Sequence, residues 1–126
     1  MDDLPELEDG PERAARVSGC LFMALAAVLV WAIAGVTAGF VVIQMTVLAV
    51  LAFGLGVAML LLGAEPTVLL AAVVTGLASL GLWSLYLVQG VASDWPAAEL
   101  VFFAVPALLS LAATVAAVIA LARRAR

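Results

Sequence analysis

The sequence predicts an all-α protein, a polytopic membrane protein whose four transmembrane helices pack as a bundle. Hydrophobic residues make up 67% of its 126 residues and charged residues 11%, whereas soluble domains are about half apolar and about a quarter charged. The charged residues also leave long uncharged runs, and a helix needs about 20 apolar residues to cross a bilayer. The five basic residues all lie near the two ends of the chain. Together these observations exclude a water-soluble globule.

The first 12 residues differ in composition from the rest of the chain. They carry six of the nine acidic residues, two prolines and a glycine, and apart from the first methionine only two leucines are available for burial. Such a segment buries too little apolar surface to offset the entropy of ordering. We therefore predict a disordered acidic cytoplasmic tail at 1–12, followed by a transmembrane domain at 13–126. The alternative prediction is that the acidic tail binds a basic partner.

The first two helices are predicted from one uncharged run. No charged residue occurs between Arg16 and Glu65, over 48 positions, which is too long for a single crossing, so the run folds back once. The turn is predicted near Gly39–Gln44, where glycine relaxes the backbone. The first helix is then expected at about 15–38 and the second at about 42–63.

The second turn has clearer signals. Gly63 can adopt the left-handed conformation that ends a helix, and Pro66 suits the first turn of the next one. The following uncharged run, from Thr67 to Ser93, predicts a third helix at about 67–89.

The fourth helix is predicted at about 97–121. Asp94 is expected to cap its start, Pro96 has no N–H to leave unsatisfied in the first turn, and Glu99 favours the positive end of the helix dipole. Trp95 and Tyr86 are candidates for an aromatic belt at the outer membrane interface.

Orientation follows from the basic residues, which are all arginines: Arg13, Arg16, Arg123, Arg124 and Arg126. Two flank the first helix and three follow the last, and no intervening loop contains one. Since basic residues stay on the cytoplasmic side, both termini are predicted to be cytoplasmic. Four crossings satisfy that arrangement.

Each predicted helix carries small residues three or four positions apart, which places them on one face. Such faces let helices approach closely within a bilayer, so they predict a compact bundle. The first face contains Ala24, Ala27, Ala34, Gly35 and Ala38; the second Ala49, Ala52, Gly56 and Gly63; the third Ala72, Thr75, Gly76, Ser79 and Trp83; the fourth Ala107, Ser110, Thr114 and Ala117. Gly35–Gly39 also matches the G-x-x-x-G pattern, which packs helices internally or joins two copies.

Hydroxyl side chains at membrane depth have two interpretations. Pro106 displaces a hydrogen bond in the fourth helix and can kink it, and Ser110 and Thr114 follow one and two turns later. With Thr75 and Ser79 on the third helix, they could line a path for a small neutral solute. Hydroxyls also bond back to their own helix carbonyls, which favours simple packing.

The residue inventory excludes several function classes. The chain has no histidine and one cysteine, Cys20, so an internal disulfide, a zinc site with histidine ligands and a histidine-ligated haem cannot form. Glu65, Asp94 and Glu99 are the acids near helix ends, and no nucleophile with a base accompanies them. We therefore predict no catalytic, cofactor-binding or metal-binding residue, and no enzyme. A short arginine tail without a basic stripe also argues against nucleic acid as a partner.

The chain resembles small multidrug exporters in length and number of helices. Those proteins need a membrane-embedded acidic residue in the first helix, and none occurs between Met23 and Val36. Buried ionisable groups mark ion pathways and proton-coupled carriers in general. The predicted spans carry none at membrane depth, since Arg16 and Glu99 lie in the first turns of their helices.

The functional prediction is a non-catalytic structural or accessory subunit of a prokaryotic cytoplasmic membrane. Its partners would be the lipid bilayer and either further copies of the chain or a larger membrane complex, contacted through small-residue helix faces. The alternative is a channel or carrier for a neutral or weakly polar small solute.

Overall fold

The computed structural model describes residues 10–33 and 39–124. Within them the chain forms four α-helices: α1 Gly10–Ile33, α2 Gly39–Leu62, α3 Pro66–Ala92 and α4 Ala97–Arg124. Each helix is long and apolar enough to cross a membrane. The predicted all-α class and the predicted number of helices are therefore confirmed.

Neighbouring helices run antiparallel. α1 lies between α2 and α4 and packs closely on both, and α3 packs closely on α4, whereas α2 and α3 are the least closely packed of these four neighbouring pairs. Ser18 of α1 donates a hydrogen bond to the Ala113 carbonyl of α4 at 2.7 Å, and Gly19 lies against Gly56 of α2. The start of α1, the turn between α2 and α3 and the end of α4 consequently share one end of the bundle.

Burial follows helix faces. The largest fully buried side chains come from all four helices: Trp83, Phe22, Leu25, Leu29, Met45, Met59, Leu69, Ser18, Ser79 and Ser110. Large apolar side chains also point outward on every helix, as Leu61 and Val74 do. A soluble monomer rarely exposes so much apolar surface, and an outer surface of this kind suits a hydrocarbon solvent.

The predicted first turn was wrong. Residues 39–44 are helical and belong to α2, and residues 34–38, between α1 and α2, lie outside the described residues. The small residues Ala34, Gly35 and Ala38 fall outside as well, and with them most of the G-x-x-x-G pattern. In a uniformly apolar run, glycine occurs at helix starts as well as in turns. The sequence therefore does not show where the first helix ends and the second begins.

The first helix begins earlier than predicted. It starts at Gly10 rather than near 15, because a proline in the first turn has no N–H to leave unsatisfied and the acidic Glu12 favours the positive end of the dipole. Residues 10–12 thus belong to α1, and the remainder of the predicted acidic tail lies outside the described residues.

The second turn matches the prediction. α2 ends at Leu62, and Gly63 follows in the left-handed region with φ +66, a conformation that glycine adopts without steric cost. Pro66 is the first residue of α3. The Glu65 carboxylate caps this helix by accepting hydrogen bonds from the N–H groups of Thr67 at 3.0 Å and Val68 at 3.3 Å. That capping role was not predicted.

Asp94 ends the third helix instead of capping the fourth, so this prediction was wrong. Its φ is 55, and its N–H donates to the Val91 carbonyl while the N–H of Trp95 reaches back to the Gly90 carbonyl at 2.9 Å. This pair of bonds is the Schellman motif, in which the residue after the cap is left-handed. α3 therefore continues to Ala92, beyond the predicted end near 89, and α4 continues from Ala97 to Arg124, beyond the predicted end near 121.

We expect Asp94→Val to lower the free energy of unfolding by about 1 kcal/mol, because a β-branched side chain is strained in the left-handed region. Asp94→Gly should preserve or raise it, since glycine carries no such strain. Asp94 is exposed, so neither change disturbs packing. Thermal unfolding of the two variants in a mild detergent measures the difference. Equal stability of both variants would contradict the assigned backbone conformation.

Candidate functional site: a buried hydroxyl cluster

Three polar side chains meet in the interior between α3 and α4. The hydroxyl oxygens of Ser79 and Ser110 lie 2.7 Å apart, and the indole Nε1–H of Trp83 donates to Ser79 Oγ at 3.1 Å. Ser79 and Trp83 are one helical turn apart on α3, so both face α4. All three side chains are at most 1% exposed. The cluster is closed to the outside of the bundle.

Thr114 extends this buried hydroxyl cluster one turn along α4. Its hydroxyl donates to the Ser110 carbonyl of its own helix at 2.7 Å. On the facing helix, a Cβ built on Gly76 would overlap Thr114 Oγ1, would lie 3.2 Å from Thr114 Cβ, and would approach the Phe22 ring of α1. The absence of a side chain at Gly76 therefore sets how closely α3 and α4 approach.

The cluster offers hydrogen bonding and no acid–base chemistry. Its groups are hydroxyls and an indole, none of which is a base able to activate a serine at neutral pH. In the described ranges every buried side-chain nitrogen or oxygen has a hydrogen-bond partner. The same ranges contain no group of three His, Cys, Asp or Glu side chains that could hold a metal ion. What this arrangement can do is fix two helices in register.

The residues considered for a solute path are only partly brought together. Ser79 and Ser110, predicted on different helices, are in direct contact. Pro106 is buried within α4, which continues through it, and Thr75 is half-buried on α3. Ser110 and Thr114 face α3 rather than an opening. The sequence identified these positions but not their mutual contacts, which depend on the rotation of each helix.

A second polar contact joins α2 and α3, the least closely packed of the four neighbouring pairs. The Tyr86 hydroxyl of α3 donates a hydrogen bond to Gln44 Oε1 of α2. Tyr86 also stacks on Phe103 of α4, with ring centroids 5.2 Å apart, and Trp95 meets the same ring at 5.5 Å. Both predicted belt residues therefore pack on this ring, and Gln44 bonds within the protein.

The predicted small-residue faces of α2 and α4 are buried inside the bundle. On α4 the predicted face is buried, and on α2 Ala49, Ala52 and Gly56 are buried. On α1, in contrast, Ala24 and Ala27 are exposed. The buried faces of α2 and α4 explain the predicted compact packing. Because they already pack inside the bundle, these two faces are not available to a partner.

We expect Ser79→Ala to destabilise the protein more than Ser110→Ala. Losing Ser79 leaves the buried indole N–H of Trp83 without an acceptor, which costs about 1–3 kcal/mol. Losing Ser110 costs about 1 kcal/mol or less, because the Ser79 hydroxyl can turn to a carbonyl of its own helix. Unfolding in mixed micelles of a mild detergent and dodecyl sulfate measures both, with half-buried Ser84→Ala as the matched control. The reverse order would contradict the geometry of the cluster.

No family model, curated protein or solved structure matches this chain.

Proposed function

We propose that this chain is a multi-pass protein of a prokaryotic cytoplasmic membrane with a non-catalytic structural or accessory role. The observation that carries the proposal is the closed hydroxyl cluster of Ser79, Ser110 and Trp83, whose polar groups bond to one another. A solute path between α3 and α4 needs such groups turned toward an opening. Here a passing solute would have to break buried hydrogen bonds that also hold the bundle together.

The placement of charges supports cytoplasmic termini. Because the helices alternate in direction, the four described arginines gather at one end of the bundle: Arg13, Arg16, Arg123 and Arg124. Among the described residues the other end carries Asp94 and Glu99 and no basic side chain. Basic residues favour the cytoplasmic side. Reporter fusions at each terminus and after Asp94 test this orientation, and an external N-terminus would overturn it.

The uneven packing of the helices suggests where a partner would bind. α2 and α3 bury smaller shares of their apolar spans than α1 and α4, and they are the least closely packed of the four neighbouring pairs. Their outward side chains, such as Leu61, Val74 and Leu77, are more than half exposed. A partner helix in the membrane would therefore gain most contact along α2 and α3. The same surface would serve in a homo-oligomer.

The decisive experiment is the native mass and composition of the tagged protein after gentle solubilisation from its host membrane. We expect a second polypeptide in stoichiometric amount. A photo-crosslinker at Leu77 of α3 should trap it, whereas one at the comparably exposed Val115 of α4 should not. Recovery of the chain alone, as a monomer or homo-oligomer, would overturn the accessory role. It would favour the competing proposal of a channel or carrier for a neutral solute.

A further inference from the structure

Two apolar grooves on the outer surface meet at Trp31, near the end of α1. The first lies between α1 and α2, has a volume of about 720 Å³ and has eight lining residues, among them Ala27 and Ala49. The second lies between α1 and α4, has a volume of about 310 Å³ and has seven, among them Ala98 and Phe102. Trp31 lines both grooves.

The chemistry of the grooves fits hydrocarbon chains. The lining side chains are aliphatic, aromatic or thioether groups, and the only polar lining atom in a side chain is the indole nitrogen of Trp31. Trp31 is 73% exposed, and its indole N–H has no acceptor in the part of the chain that the structure describes. An indole at a membrane interface turns its ring to acyl chains and its N–H to ester or phosphate oxygens.

The charges beside the second groove favour one class of headgroup. Ala98 lies in the first turn of α4 next to Glu99, and the turn before that helix contains Asp94; both acidic residues are exposed. No basic side chain of the described residues lies at this end of the bundle. Two carboxylates attract an ammonium group and repel an anionic headgroup. A zwitterionic headgroup therefore fits better than an anionic one.

We propose that a diacyl phospholipid with an ammonium headgroup, such as phosphatidylethanolamine, binds at Trp31 with one acyl chain in each groove. Its headgroup lies beside Asp94 and Glu99, and the Trp31 indole donates to an ester or phosphate oxygen. Two chains joined at one glycerol match two grooves that meet at one side chain. A partner helix about 10 Å across would cover one groove and leave the other open. The proposal rests on the membrane location proposed above but not on the accessory role.

The test is native mass spectrometry of the full chain after exposure to equal amounts of phosphatidylethanolamine and phosphatidylglycerol and transfer into a mild detergent. We expect one phosphatidylethanolamine bound per chain. Ala27→Phe fills the first groove and Ala98→Phe the second, and each should lower retention about tenfold, the effect of losing contact with roughly two methylene groups. Ala78→Phe, at an exposed position of α3, is the matched control and should retain the lipid.

The headgroup has its own variant and control. Glu99→Gln should bring binding of the two lipids toward equality without abolishing it, whereas Glu12→Gln, at the opposite end of the bundle, should leave the preference unchanged. Equal retention by all three phenylalanine variants, a preference for phosphatidylglycerol, or a protein dimer that the groove-filling changes abolish would overturn the proposal. Bound phosphatidylethanolamine without any second polypeptide would support this site and contradict only the accessory role.

Discussion

Gly76→Ala is expected to lower the free energy of unfolding by about 2–3 kcal/mol, the cost of overpacking a closely fitted interior. The added Cβ would overlap Thr114 Oγ1 and lie 3.2 Å from Thr114 Cβ, so α3 and α4 must separate or Thr114 must change rotamer. Separation of the helices strains the hydrogen bond between Ser79 and Ser110, whose hydroxyl oxygens lie 2.7 Å apart, and a rotamer change breaks the hydrogen bond from Thr114 to the Ser110 carbonyl. Unfolding in mixed micelles of a mild detergent and dodecyl sulfate measures the loss.

Gly81→Ala is the matched control on the same helix. A Cβ on Gly81 meets nothing within 4 Å, so the change should be neutral or stabilising by up to about 1 kcal/mol through helix propensity. Thr114→Ala combined with Gly76→Ala should recover part of the loss, because it removes the overlapping oxygen and leaves the contact at Thr114 Cβ. Equal effects of the two single glycine substitutions would contradict the close approach of α3 and α4.

Gly56→Ala is expected to weaken the contact between α1 and α2 by about 1–3 kcal/mol. A Cβ built on Gly56 would lie 2.7 Å from Met23 Cγ and 2.9 Å from the Gly19 carbonyl oxygen. Methionine can rearrange, but a backbone carbonyl can move only with its helix. The two helices must therefore shift apart along the whole crossing.

Gly54→Ala serves as the control on α2, since a Cβ there meets no atom within 4 Å. Adding Met23→Ala to Gly56→Ala should restore only part of the stability, because the Gly19 carbonyl still obstructs the new side chain. Full recovery in the double variant would show that the helix backbones do not approach as closely as the structure has them.

The sequence identified the helices best where turns carry special residues. Gly63 and Pro66 bracket the second turn because a left-handed residue and a residue without an N–H each have few alternatives. No proline marks the boundary between the first two helices, so Gly39 was assigned to a turn although it begins α2. Asp94 was assigned to the start of α4 because aspartate caps helices often, while its left-handed role at the end of α3 depends on backbone bonds that the sequence does not display.

The hydroxyl cluster was predictable in composition but not in arrangement. The spacing of Ser110 and Thr114 places both on one face of α4, and Ser79 lies on the corresponding face of α3. Whether these faces meet depends on the rotation of each helix and on its position along the bundle axis. Close contacts at small residues such as Gly76 determine both. Gly19 and Ser18 carried no recognised signal, since a single glycine or serine near a helix start is common.

The most direct test of a closed, structural interior is solute flux across vesicles containing the purified protein. For water, glycerol, urea and other small neutral solutes, we expect flux equal to that of empty vesicles, because Ser79 and Ser110 bond to each other and are buried between α3 and α4. Flux above that of empty vesicles, lowered by Ser110→Ala at an unchanged amount of folded protein, would contradict the account and establish the hydroxyl cluster as part of a transport path.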